Sequence, residues 1–512
     1  MEKTEKEKKA ENNQKKILLF GMSPLPFEND RKVYGTGIRT WQFLQPLLKN
    51  GHKICVCNYA IPSAYEENFK SEFRGNFKIE SRQSNHEYHF NYNILSGQDF
   101  ENTDILKKLF LDFSPDCVIG CTFFPSYTAS KLLNILRNDS DVNPNISNIP
   151  LWADIFGHVM AEAQARAFVD NDDSCLFHYW NSEYNILTTA DIFSCVSGRQ
   201  EYALIGELGA VGRLNRYTAG YNFSCTIPCG MPYYDFEHNK NLIRGHNGVN
   251  EDDFVLLWTG GYNTWTDIDT LFKGLERAME KNPKVKFVST GGEIPEQDLK
   301  TYPRFLSMIE RSKFSDNFVM RGWIKGEDVP NYYFEADAGI NIDKDIFEVR
   351  FGSKNRILDW MRAGLPVLSS NVCELTEIIE KCKIGFTFKP GDPDDLAEKI
   401  LYLASHRNVL KQTGIKGREF GMKHFNFDIT TKSLQQWVSA PEHAPDFGKN
   451  KKMFFDREEA LKNLQSIVSQ QKKMIEERDR RIEELEGIIK KSFPYKIYGY
   501  LRIAKRKIFK GI

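Results

Sequence analysis

The chain has no excess of charge of either sign: over 512 residues, 69 lysines and arginines balance 69 aspartates and glutamates. That balance excludes a globally basic nucleic-acid binder. It also lacks any run approaching the ~18–20 consecutive apolar residues that a membrane span requires, so membrane contact is expected to be peripheral. The N-terminal stretch MEKTEKEKKAENNQKK is charged and has no apolar core of a secretory signal, so 1–15 are expected to be a disordered arm and the protein cytoplasmic. Cysteine is present without a pattern. The ten cysteines are scattered, several inside apolar runs (Cys55 and Cys57 in KICVCNY, Cys195 in DIFSCVS), and the pairs Cys117/Cys121 and Cys225/Cys229 lack a companion CxxC or histidine at zinc spacing. They read as buried reduced thiols. The apolar share, 41%, is lean yet sufficient for real cores, and the length exceeds one ordinary domain.

From Lys16 the pattern turns to KILLFGMS, then a polar loop, then a segment with Trp41, Leu44, Leu47 and Leu48 at helical spacing that Gly51 closes. This is the β, loop, α, β opening of a parallel sheet with crossover helices. PDCVIGCTFF, IPLWADIF and ADIFSCVS read as further strands. After a charged, Gly- and Asn-rich stretch from Glu237 to Asp253 a second alternation begins, with DFVLLWTGG, VKFVSTGG, NFVMRGWI, AGINI and LPVLSS as strands and a long helix from about Ser353 to Gly364. The expected fold class is α/β: two Rossmann-like doubly wound domains, 16–236 and 237–417, facing a cleft, with a helix at 418–440 crossing back to the first. A linker at 441–455 leads to a C-terminal coiled-coil helix at 456–491.

In that last region Leu461, Val468, Ile475, Ile482 and Ile489 recur every seven residues, with Leu464 and Leu485 on the alternate seam and Gln471 and Arg478 interrupting it. Pairing of subunits or recruitment of a partner competes with a single solvated helix packed on its own protein. Residues 490–512 hold eight lysines and arginines and no acid, so the rest of the chain sums to −8. With Phe493, Tyr495, Tyr498, Tyr500 and Phe509 interleaved, 492–512 reads as a basic amphipathic tail for an anionic membrane surface. RNA binding and a merely solvated tail are the competing readings.

Several segments narrow the function: YGTGIRTWQFLQPLLKNGH, ADIFSCVSGRQEYALIGELGAVGR, FVLLWTGGYNTWTDIDTL, FVMRGWI with EADAGINI, and EVRFGSKNRILDWMRAGLPVLSS. Over about 16–440 the sequence resembles the GT-B glycosyltransferases, in particular retaining family 4 (glycosyl transferases group 1) and its large bacterial members that build O-antigen and other surface polysaccharides. The last segment is the most specific.

Each piece suits a sugar-nucleotide site. Gly35 and Gly37 lie between strand and helix, where backbone N–H groups approach a phosphate, with a plain tight turn as the alternative. Gly260 and Gly261 end the first strand of the second domain at the equivalent place. Arg350, Lys354 and Arg356 cluster at a helix start, where dipole and cations together would meet a diphosphate leaving group. The resemblance places the ribose-binding carboxylate at Asp359. It departs from the family at two points: eight residues before Asp359 stands Phe351, leaving Glu348 as the nearest acid for the donor sugar, and Thr266 and Asp267 fill the place of the phosphate-binding Lys-Gly. In the first domain, Asp154 and His158 follow an apolar run where the family presents a group near the acceptor hydroxyl. Arg39, Arg199 and Gln200 are assigned to the acceptor, with bridging of the cleft or a helix cap at Ser197 as alternatives for the SGRQ segment. Asp267/Asp269 and Asp343/Asp345 resemble metal-binding pairs of another architecture; helix capping by Asp269 accounts better for the first, and neither a bound metal nor a cofactor is expected.

The resemblance thus implies a glycosyltransferase that moves a sugar from a nucleotide-diphospho-sugar to an acceptor hydroxyl, lipid-linked or polysaccharide; the basic tail leads to the expectation of a place at the inner face of the cell membrane, and no nucleic-acid partner is expected. A nucleotide-sugar epimerase of the same architecture and a catalytically degenerate scaffold for other transferases are the rivals.

Overall fold

The computed structural model describes residues 14–28, 31–80, 87–295, 297–449, 452–491 and 493–508. Most of the expected N-terminal arm and the last four residues of the tail lie outside that set. Contacts divide the chain into a body ending at Phe447 and a C-terminal unit from Gly448.

The body holds two α/β sheets. The first comprises β1 (Lys16–Ser23), β2 (Lys53–Ala60), β3 (Glu72–Glu80), β4 (Glu87–Leu95), β5 (Cys117–Gly120), β6 (Leu151–Ile155), β7 (Ile192–Cys195) and β8 (Ser224–Thr226) in the order 3-4-2-1-5-6-7-8. All pairings are parallel except β3 with β4. The second comprises β9 (Phe254–Thr259), β10 (Val285–Thr290), β11 (Phe318–Met320), β12 (Ala338–Asn341), β13 (Val367–Ser370) and β14 (Phe386–Phe388) in the order 11-10-9-12-13-14, parallel throughout. Strands such as FVLLWT are buried at every residue, because helices cover both faces of a parallel sheet. In each sheet the order reverses beside the first strand, between β1 and β5 and between β9 and β12, and there the carboxyl ends of the strands open a crevice.

The β3–β4 hairpin has no counterpart in the strand pattern read from sequence. β3 is an edge strand that alternates exposed and half-buried residues, and its register shifts between Arg74 and Phe77, around Asn76 at φ +51. The helix expected from about Ser353 to Gly364 is Asn355–Ala363, and a short helix, Phe347–Phe351, precedes it, with extended backbone at Gly352 between them. Asp267, not Asp269, caps the Ile268–Lys281 helix by accepting from the Thr270 amide (3.1 Å), while Asp269 pairs with Arg304.

The chain passes between the sheets twice, and the two passages are hydrogen-bonded side by side: the Met231 amide donates to Phe425 (2.8 Å) and the Phe427 amide to Met231 (3.1 Å). Beyond this point the chain packs on the first sheet. Phe427, Leu434 and Val438 join its core, and Trp437 meets Trp152 edge to face at 5.5 Å.

The C-terminal unit consists of a 40-residue helix, Lys452–Lys491, and a second helix, Phe493–Ile508. Along the first, Leu461, Leu464, Ile467, Val468, Met474, Ile475, Ile482, Leu485 and Ile488 are all exposed. All ten cysteines are free and seven are buried. No helix among the described residues is long and apolar enough to cross a membrane.

Candidate active site

The crevice of the second sheet is built on β9. Its last residues turn through Gly260, at φ +91, and Gly291, at φ +120, where a side chain would strike the Gly260 carbonyl, so two loops pass backbone against backbone. Buried Trp258 lies beneath the guanidinium of Arg356, 3.9 Å from the ring centroid. Arg356 donates from Nη2 to the Gly261 carbonyl (3.2 Å), while Nη1 has no partner among the described residues. Burial lowers the Arg356 pKa.

Lys354 immediately precedes the Asn355–Ala363 helix. Its Nζ is 3.7 Å from Asp343, itself fixed by Asn341 (2.8 Å) and by the Ser370 hydroxyl, and 5.2 Å from the Trp265 ring. Burial works against the ammonium, but Asp343 and then Glu348 more than offset it, and Lys354 titrates above an ordinary lysine. Glu348 is 8% exposed, and one of its oxygens has no hydrogen-bond partner among the described residues. Burial, opposed by Lys354, pushes it up to about 7. Asp359 lies a turn further along, near Arg362, and burial raises it as well. The helix has no capping side chain and no acid in its first turn, so its leading N–H groups and positive dipole end are uncompensated.

The facing element is the Gly35–Lys49 helix after β1, which likewise has no side-chain cap and no acid in its first turn. Gly37 is demanded by packing, since a Cβ there would run into the Pro24 carbonyl; at Gly35 a Cβ would stand 3.1 Å from the Asn355 amide nitrogen. The amino ends of two helices, one from each sheet, thus meet across the crevice, with Lys354 and Arg356 beside them.

Other expected site residues are placed differently. Asp154 is completely buried on β6 and chelates Arg39 through two hydrogen bonds (2.7 and 2.9 Å), while Ser194 donates to it (2.6 Å). Burial opposes the Arg39 charge and Asp154 restores it, so Arg39 titrates above its usual value. This pair is core, which removes Asp154 from catalysis and Arg39 from acceptor binding. Gln200 is also core: it accepts from the Val196 amide and donates to the Ile155 carbonyl. Arg199 spans the halves, donating to the Val372 carbonyl (2.9 Å) and pairing with Glu377, and the Gly198 amide donates to Glu374 (2.8 Å). Arg350 stands apart from Lys354 and Arg356, exposed and held in a two-pronged pair with Asp345 (2.6 and 2.9 Å).

His158 caps the Val159–Asp170 helix by accepting the Ala161 amide at Nδ1 (3.3 Å), stacks on Phe351 of the opposite half, and sets Nε2 2.9 Å from Glu207. Glu183, pushed up to about 9 by burial and then by Glu207, completes a cluster whose ligand atoms lie within 4.8 Å of one another. With Nδ1 accepting, the ring proton sits on Nε2, on the side of Glu207; metal coordination at Nε2 would require moving it and breaking the helix cap. Glu183 and Glu207 lie far from His158 in sequence, on helices of ordinary pattern, and nothing in the residues marks them. Beside His158 opens a cavity of about 850 Å³, with Met160, Phe168 and Leu176 on one wall, Phe347 and Phe351 on another, and Asn171 and Asp172 at its polar end.

Residues 253–406 match the family described as glycosyl transferases group 1. The two-sheet GT-B fold of the body is shared with sucrose-phosphate synthase of Thermosynechococcus elongatus (TM-score 0.59, 16% identity, 83% of this chain and 98% of that one). It is shared also with Anabaena HepE in complex with UDP-glucose (TM-score 0.56, 13% identity, 83% and 100%). In sequence, the chain is 23% identical over 201 residues to the putative glycosyltransferase EpsD of Bacillus subtilis, covering 39% of this chain and 49% of that protein. It is 24% identical over 211 residues to the sulfoquinovosyl transferase SQD2 of Arabidopsis thaliana, covering 40% and 37%. These matches span about half or less of the curated relatives.

Proposed function

We propose that this chain is a glycosyltransferase that moves a sugar from a nucleotide-diphospho-sugar to an acceptor hydroxyl, with retained configuration, in the assembly of a bacterial cell-surface polysaccharide. The observation that carries the reading is the meeting of two uncapped helix amino ends with Lys354 and Arg356 at their junction. A diphosphate is the group that satisfies both: it brings negative charge to the dipoles, acceptors to the orphan N–H groups, and a partner for the unused Arg356 donor. As the bond to the departing diphosphate breaks, charge grows on its oxygens, and donors already in place stabilise it without reorganisation. Closure of the two halves supplies proximity.

Uridine diphosphate sugars are the donors to test first, because the similar HepE is known with UDP-glucose. Asp359 is assigned to the ribose and Glu348 to the donor sugar. The cavity beside His158 is assigned to the acceptor, its aromatic walls for sugar faces and its polar end for hydroxyls. The 492–512 tail would hold the enzyme against an anionic leaflet.

A screen of nucleotide sugars by thermal shift, followed by nucleotide release with and without a lipid-linked acceptor extract, tests this. Donor-dependent stabilisation and acceptor-dependent release are expected, and Arg356→Ala and Lys354→Ala should each lower kcat/KM by about 10²–10³. Turnover without acceptor would identify an epimerase instead; no stabilisation by any donor would identify a scaffold.

A further inference from the structure

We propose that the Lys452–Lys491 helix pairs with the same helix of a second copy of this chain in antiparallel orientation, in a register that sets Val468 against Leu485 of the copy. The helix is continuous over 40 residues and its apolar stripe is exposed. That stripe is wider than a two-position seam. Besides Leu461, Val468, Ile475 and Ile482 at the first seam position and Leu464 and Leu485 at the second, Ile467, Met474 and Ile488 add apolar residues on one flank, which Arg481 interrupts. The opposite flank carries Gln465, Lys472, Asp479 and Glu486.

Orientation follows from what each alignment opposes. In a parallel pair, like positions face one another, so Arg478 meets Arg478 in the seam, where two guanidiniums repel in a poorly solvated space. The flanks then cross, matching Ile467 with Lys472 and Met474 with Asp479, apolar against charged, and only Arg481 with Glu486 as opposite charges. In an antiparallel pair, each seam position meets the other kind and each flank meets itself. Centred between Glu476 and Glu477, this gives Val468 with Leu485, Ile475 with Arg478 and Ile482 with Gln471, each twice by symmetry. One flank pairs Lys472 with Asp479 and Gln465 with Glu486; the other pairs Ile467 with Ile488 and Met474 with Arg481, whose long stem can lie along the methionine. No like charges are opposed. A slip of one heptad one way brings Lys472 onto Lys472, and a slip the other way brings Asp479 onto Asp479 and Arg481 onto Arg481. Orientation is therefore set chiefly by Arg478 in the seam and register by Lys472, Asp479 and Arg481 beside it, and the inference stands independently of the transfer chemistry.

The test uses the full-length chain. Light scattering should give a dimer mass at micromolar concentration. With both substitutions in one chain, Val468→Cys and Leu485→Cys should form an intermolecular disulfide under mild oxidation, whereas Gln471→Cys alone should not; the native cysteines provide the control. Lys472→Asp or Asp479→Lys alone should weaken dimerisation by about tenfold or more, and the two together should restore it to within about threefold. A monomeric mass, a Gln471→Cys self-crosslink, or single charge changes without effect would each overturn the proposal.

Discussion

Glu348 combines near-complete burial, one unpartnered oxygen and a pKa of about 7. Its folded pKa lies above the 4.5 of a free glutamate, so the folded chain holds a proton that the unfolded chain has lost between those values. The cost of burying its charge therefore grows as pH rises from 4.5 to about 7 and levels off above that. Glu348→Gln should stabilise the protein by about 2 kcal/mol more at pH 8 than at pH 5, read from denaturant midpoints. An equal effect at both values would show that Glu348 ionises as an ordinary glutamate. The same replacement removes the carboxylate competing for Lys354, and nucleotide diphosphate should bind the variant with a shallower pH dependence than the wild type.

At the scale of elements, the β6 carboxylate and the arginine of the Gly35–Lys49 helix tie strand to helix across the first sheet. Removing one member strands a buried charge, so Arg39→Ala and Asp154→Ala should each cost about 3–5 kcal/mol in urea unfolding, and the double variant clearly less than their sum. A neutral effect on stability with loss of transfer would return Arg39 to the acceptor site. The sequence showed the alternation of apolar strands with amphipathic helices, and hence the paired sheets, because burial on both faces writes itself as unbroken runs such as FVLLWT. It showed the Lys354–Asp359 segment for a local reason: cations and a helix start lie within one turn. It misjudged Asp154, Arg39 and Gln200 because a polar residue after an apolar run reads the same whether it faces a ligand or a partner 115 residues away. Arg350 was misplaced because the break at Gly352 turns it from the helix it seemed to join. The β3–β4 hairpin was missed because a half-exposed edge strand with polar residues on one face leaves little periodic signal.

The whole molecule couples a neutral sum of charge to a strong internal asymmetry, with eight cations and no acid in 490–512. Each cation near an anionic leaflet contributes about 1 kcal/mol, so replacing Lys496, Arg502 and Lys505 together by Gln should weaken binding to vesicles containing acidic phospholipid about a hundredfold. Soluble nucleotide binding should be unaffected. Vesicle binding that survives the change would remove the tail from membrane attachment.

The two adjacent passages between the sheets, bonded at Met231 and Phe425–Phe427, carry a mechanical consequence. A half hung on one strand can swivel in any direction, but one hung on two neighbouring strands is held like a door on a pair of pins and swings mainly in a single plane. Each opening then retraces the same arc, and the facing helix ends return to the same alignment at every turnover. A cut through either passage alone would leave the door hanging on the other.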